Sequence, residues 1–277
     1  MARQQPPQRA WDDYLIPGTS VLRNKFTGPG QPYGVTDQAA LTVLEEQFTS
    51  TRLLELRSHP VTVRFDYDHM KAIHRHVFQD VYEWAGEERT APTAGPMTKE
   101  GHSYYPAGPA LTAAAEAEYA KIAGRNYLQG MERGAFVAEL GERWGELNVV
   151  HSFREGNTRT QFAFFSQLAT QAGYWLDTEA FKVGNPLRAE FVAARFEGQD
   201  TGSNRRLIAV LDRAITAAPP PGPGAGPHPE RGPVAPTSSV HAASFPSPPT
   251  TRSPGSSSTS TSRARGARGR SGPEVGR

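Results

Sequence analysis

Cysteine is missing from all 277 residues, which excludes disulfide frameworks, thiolate nucleophiles and cysteine-ligated metals together. No apolar run approaches the roughly 20 residues that a membrane-spanning helix needs, so no membrane partner is expected. The opening residues, Met1-Ala2-Arg3-Gln4-Gln5-Pro6-Pro7, lack the apolar core of a secretory leader, and a cytoplasmic protein is the expectation. The net charge is only +2, which gives no reason to expect a specific nucleic-acid partner. No internal repeat with a period of about 20–50 residues occurs. With 37% hydrophobic residues and a mean hydropathy of −0.56, the chain suits one soluble domain plus sequence outside the core.

The small net charge hides an asymmetry. From Pro219 to Arg277, seven arginines face Glu230 and Glu274, a surplus of five that leaves −3 for the rest. The same segment holds thirteen of the 24 prolines, and Phe245 is its only aromatic residue. Such a composition cannot bury enough apolar area to offset the entropy of ordering. Residues 218–277 are therefore expected to be a disordered Pro/Ser/Gly/Arg-rich tail, residues 1–10 a flexible start, and residues 11–217 the folded domain.

Helical periodicity dominates that domain. A helix opens near Thr36, with Ala40, Leu41, Leu44 and Phe48 at helical spacing. Val61-Thr62-Val63 is expected to be extended. Asp66 or Asp68 can cap the next helix, whose stripe is Met70, Ile73, Val77, Phe78 and Val81. His74 and His76, two apart, face different ways and suit structural roles. Between Gly86 and Pro106 the period fails, and Arg89-Thr90 with Ser103-Tyr104-Tyr105 can pair as short strands. Further helices are expected over about Pro109–Leu128, through Phe136, Val137, Leu140, Trp144, Leu147 and Val150, and through Phe162, Phe165, Leu168 and Ala172 to a stop at Gly173. Two more follow around Phe191–Phe196 and Leu207–Leu211. The fold class is all-α, with six to eight helices and one small hairpin.

Between two of these helices lies His151-Ser152-Phe153-Arg154-Glu155-Gly156-Asn157-Thr158-Arg159, a base, a carboxylate, an amide and cations within nine residues. Three accounts fit it. It can be a plain polar loop with His151 packed or capping. His151 and Glu155 can begin a metal site, although zinc needs a third ligand and no H-x-x-x-H partner is near. Or it can bind a nucleotide, with Mg²⁺ on one carboxylate and phosphate at the N-terminus of a helix starting near Asn157. The third account uses every polar residue in the run.

The run resembles the Fic family motif H-x-F-x-[D/E]-G-N-G-R-x-x-R, with His151, Phe153, Glu155, Gly156, Asn157 and Arg159 in register. Tyr14-Leu15-Ile16-Pro17-Gly18-Thr19 with Leu22-Arg23-Asn24, and Ile73 through Gly86, match other family landmarks in order. The resemblance implies a Fic-type helical bundle with a β-hairpin flap, and transfer of AMP from ATP to a Ser, Thr or Tyr hydroxyl of a target protein. It implies that His151 accepts the hydroxyl proton and that Glu155 holds Mg²⁺. Gly156, Asn157, Thr158 and Arg159 would bind phosphate, while Thr98, Lys99, Glu100 and Gly101 form the flap that docks the target. It also implies toxin-like action, including on cell division, and a small separate antitoxin as partner. The family's inhibitory pattern [S/T]-x-x-x-E-[G/N] has no match, since Ala193 precedes Glu197-Gly198.

Two positions depart from the pattern. Thr158 replaces the motif's second glycine, and Phe162 replaces its second arginine, which in the family meets the terminal phosphate. Three functions stay open: AMP transfer, transfer of another phosphate-containing group, and a nucleotide-binding pseudoenzyme.

Overall fold

A computed structural model describes residues 7–61, 63–99 and 101–217. The predicted tail, Thr62 and Glu100 lie outside the described residues. Among those described, seven α-helices and two small antiparallel sheets form the fold. None of the helices is long and apolar enough to cross a membrane.

Asp37 caps the first helix, α1 (Gln38–Ser58), by accepting from the Ala40 amide, and Asp66 caps α2 (Tyr67–Phe78) in the same way through His69. The buried stripe of α1 differs from the expected one. It runs Leu41, Glu45, Thr49, Leu53 and Leu56, whereas Phe48 is exposed at 37%. Two polar residues occupy core positions there because partners from the site meet them.

The segment expected to break helical period contains the hairpin, but not with the predicted strands. β1 (Met97–Lys99) pairs with β2 (His102–Tyr104), with Thr98 opposite Ser103. Arg89 and Thr90 are not strand residues; Arg89 is buried and serves as a strut. The expected Pro109–Leu128 helix ends earlier, as α3 (Pro109–Gly124), followed by a short 3₁₀ turn at Asn126–Leu128. A second ribbon, β3 (Tyr174–Leu176) against β4 (Ile215–Ala217), was not anticipated. Three-residue strands are too short to display alternation.

α4 (Arg133–Val150), α5 (Asn157–Gln171), α6 (Pro186–Thr201) and α7 (Arg205–Ala214) complete the bundle. α5 lies between α2 and α4, and α6 and α7 pack on α4. The stripe predicted for α4, Phe136, Val137, Leu140, Trp144, Leu147 and Val150, is buried throughout. Trp144 stacks on Phe165 at 4.5 Å and meets Phe191 edge-on at 5.4 Å, which ties α4, α5 and α6 into one aromatic core. A Cβ at Gly145 would fall 2.0 Å from Asn204 Oδ1, so this glycine lets α4 and the start of α7 touch.

Candidate active site

α4 ends at His151, whose left-handed backbone (φ 50°, ψ 61°) turns the chain out of the helix. Five residues later Gly156 starts α5, also left-handed at φ 81°. A Cβ there would sit 2.3 Å from the Phe78 ring, so glycine is required by both conformation and space. The loop between these points carries the motif.

Its shape is fixed by side chains that grip its backbone. Asn157 closes it from within: Oδ1 accepts from the Phe153 amide at 2.9 Å, and Nδ2 donates to the Phe153 carbonyl at 2.8 Å. Phe153 is buried and stacks on His74 at 3.9 Å. His74 accepts at Nδ1 from the Gly86 amide at 2.7 Å, which leaves Nε2–H to donate to the Glu155 carbonyl at 3.0 Å. Burial pushes the His74 imidazole down to about 3, so it stays neutral. His74 is the structural histidine expected from its spacing, with the added duty of holding the motif loop.

Arg89 grips the other end. Its Nε donates to the His151 carbonyl at 2.8 Å, its Nη1 to Ala91 at 3.3 Å, and its Nη2 to the Tyr105 carbonyl. Its amide donates to the Ser152 carbonyl at 2.9 Å. Burial pushes this guanidinium down to about 10. The sequence placed Arg89 in a short strand and gave it no role in the site.

The His151 ring is buried beneath Tyr104 of β2, with ring centres 4.4 Å apart. Burial lowers its proton affinity well below that of a free imidazole. The charges of Lys99, Arg89 and Arg195 add to this, and the Asn148 backbone opposes it. A neutral ring, ready to accept a proton, is the result. The Glu155 carboxylate is about a quarter exposed and faces the same region. Burial would raise it, but Lys99, Arg159, the Gly156 amide and Arg154 together hold it below the usual range. Its Oε2 lies 4.0 Å from Lys99 Nζ on the flap, and its Oε1 accepts from Gly156 at 3.0 Å.

Two residues expected at phosphate are used within the protein. The Asn157 amide is committed to Phe153, as above. Arg159 is buried, its Nη2 pairs with Glu45 of α1, and its guanidinium lies 4.6 Å over the Phe78 ring. The Glu45 and Arg159 side chains are only 8% and 7% exposed, and the Tyr82 hydroxyl donates to the same carboxylate. What α5 offers an anion is its backbone: the amides of Asn157, Thr158 and Arg159 have no intrahelical acceptor and lie at the positive end of the dipole.

The flap is tied at both sides. The Tyr105 amide donates to the Val149 carbonyl at 3.3 Å. His102 stacks on Phe196 of α6 at 4.0 Å, its Nδ1 meets Asp200 at 2.8 Å, and Gln199 donates to the Ser103 carbonyl. Thr98 and Gly101 are exposed at its tip. Glu197, in the sequence nearest to the inhibitory pattern, pairs with Arg206 at 2.9 Å.

A model of the Fic/DOC family matches residues 64–169, which contain α2, the flap, α4 and nearly all of α5. Fic, a probable protein adenylyltransferase of Salmonella typhimurium, is 32% identical over 209 residues, 75% of this chain and 94% of that protein. The chain belongs to the Fic/DOC family. The protein adenylyltransferase VbhT of Bartonella schoenbuchensis is 34% identical over 210 residues, 74% of this chain but only 39% of its own length. Among solved structures, BepC of Bartonella tribocorum with bound AMPPNP aligns at a TM-score of 0.66 and 22% identity, covering 75% of this chain and 98% of that one. That likeness is one of fold.

Proposed function

We propose that this protein transfers AMP from ATP to a hydroxyl of a target protein. The observation that carries the reading is the buried imidazole of His151 at the end of α4, five residues before the amide-rich start of α5, in a loop locked by Arg89, His74 and Asn157. His151 takes the proton from the incoming hydroxyl, and the oxygen bonds to the α-phosphorus of ATP. The P–O bond to the β-phosphate breaks, and pyrophosphate leaves. The amides of residues 157–159 hold phosphate oxygens, and Lys99 adds charge from the flap.

Among the described residues no three His, Asp or Glu side chains cluster to cage a metal. The donor set suits Mg²⁺, which takes one carboxylate and fills its shell with waters and phosphate oxygens. Glu155 would be that carboxylate, and the ion when bound would offset negative charge on the phosphates. Thr98, Lys99 and Gly101 would receive the target strand by edge pairing. A cytoplasmic location and a small antitoxin complete this reading. Phe162 gives such a partner no guanidinium to pair with.

Phe162 is also the observation that favours a second reading, transfer of another phosphate-containing group, because the arginine it replaces would help fix which phosphate faces the hydroxyl. ATP labelled at the α- or γ-phosphate decides between them. Label from the α-position alone should appear on protein; label from the γ-position alone would overturn AMP transfer. His151→Ala should lower transfer by about 10²–10⁴-fold with ATP affinity nearly unchanged.

A further inference from the structure

Phe162 of α5 turns its ring inward. It meets Trp144 edge-on at 4.9 Å and lies 5.1 Å from both Phe181 and Phe191. One turn along α6 from Phe191 stands Arg195, its guanidinium 5.4 Å from the Phe191 ring centre. From there Arg195 reaches back to the start of α5. Its Nη1 donates to Thr158 Oγ1 at 3.1 Å, its Nε donates to Asn148 Oδ1 at 2.8 Å, and its Nη2 donates to that same oxygen.

We propose that Arg195 is a phosphate-binding residue, which supplies from α6 the cation that Phe162 does not supply from α5. Its ligand is the terminal phosphates of a nucleoside triphosphate held at the amides of Asn157 and Thr158, and the inference rests on the nucleotide reading above. Three features support it. The side chain stops at Thr158, in the first turn of the helix whose amides form the anion cradle. The Asn148 amide oxygen accepts from both Nε and Nη2 and so orients the guanidinium fork. Thr158, by accepting from Arg195, keeps its own hydroxyl proton for a phosphate oxygen, so both departures from the family motif act in one arrangement. The proximity of the charge to the reacting centre is also felt at His151, whose proton affinity Arg195 lowers.

The test is a nucleotide ladder on the full chain. With Mg²⁺ present, ATP, ADP and AMP are titrated calorimetrically into the native protein, Arg195→Gln and Arg195→Lys. Arg195→Gln should lose about tenfold or more in ATP affinity while AMP affinity changes less than about twofold, and Arg195→Lys should fall between. Parallel losses for ATP and AMP, or no loss, overturn the inference and leave Arg195 as a staple between helices. If Arg195→Gln fails to fold, Thr158→Val serves instead. It removes only the hydroxyl, and an unchanged ratio of ATP to AMP affinity overturns the proposal. Native protein that binds ATP but transfers no AMP overturns the function above and leaves this inference standing. Native protein that does not bind ATP overturns both.

Discussion

On one side of α5, Arg159 runs into α1 and pairs with buried Glu45; on the other, Arg195 arrives from α6 and ends on the Thr158 hydroxyl. The first belongs to the sequence motif, and the second does not. Yet the motif arginine has a carboxylate, a hydroxyl (Thr49 Oγ1, 3.4 Å) and an aromatic face of its own. The residue outside the motif touches the turn where phosphate is expected. The contrast separates two uses of a buried cation. Arg159 neutralises Glu45 and binds α1 to the motif loop, whereas Arg195 ends on the first turn of α5, the basis of its proposed phosphate role. If the proposal holds, position in a motif does not settle which cation serves the ligand.

The largest effect should come from breaking the α1 side. Glu45→Ala leaves Arg159 buried with its main counter-charge removed, and such a change typically costs about 3–5 kcal/mol. Arg195→Gln takes hydrogen bonds from the neutral side chains of Asn148 and Thr158. Its cost should be nearer 1–2 kcal/mol. Denaturant unfolding of the two variants measures both. Equal losses would mean that the two arginines share one structural duty, and the contrast would fail.

Acid should unfasten the loop from the α2 side. His74 is pushed down to about 3 and His69 to about 4, burial being the main cause in each. Unfolded, both titrate near 6.5. Between these values the unfolded chain binds more protons than the folded one, so stability is present above pH 6.5 and declines as pH falls. Near pH 5 the difference approaches two protons, a slope of about 2.5 kcal/mol per pH unit. Urea midpoints measured from pH 7 to pH 4.5 test this. A flat dependence would show that neither ring is held neutral.

Much of this was legible in the chain. The stripes of α2, α4 and α5, the stop at Gly173 and the motif loop follow from local periodicity and from turn residues, which need only neighbours in sequence. Glu45, Arg89 and Arg195 were missed because each earns its place from a partner more than 30 residues away. Charged residues are ordinarily assigned to the surface. Glu45 did leave a trace, since it falls in the series Leu41, Glu45, Thr49, Leu53 at helical spacing. Arg195 likewise follows Phe191 by four residues on the buried face of α6. The assignment of Asn157 and Arg159 to phosphate came from the family motif, which carries no information on partners distant in sequence. The backbone of their own loop and Glu45 were the nearer partners.

The smallest effect is also the most selective between the two sides. Arg195 and Lys99 both depress the proton affinity of His151, while the charge of Arg159 acts on His74 and Glu155. If His151 is the base, kcat/KM should fall on the acid side as its ring protonates, at a pH well below the usual imidazole range. Removing either depressing charge should move that limb upward, toward neutrality, without changing its one-proton slope. Lys99→Gln and Arg195→Gln should each do so. Glu45→Gln, which perturbs Arg159 and keeps the size of the side chain, should leave the limb where it is. Rates at pH 8 serve as the internal reference, because there His151 is neutral in every variant. A limb that moves with Glu45→Gln and stays fixed with Arg195→Gln would exchange the roles of the two arginines and place the functional cation on the α1 side after all.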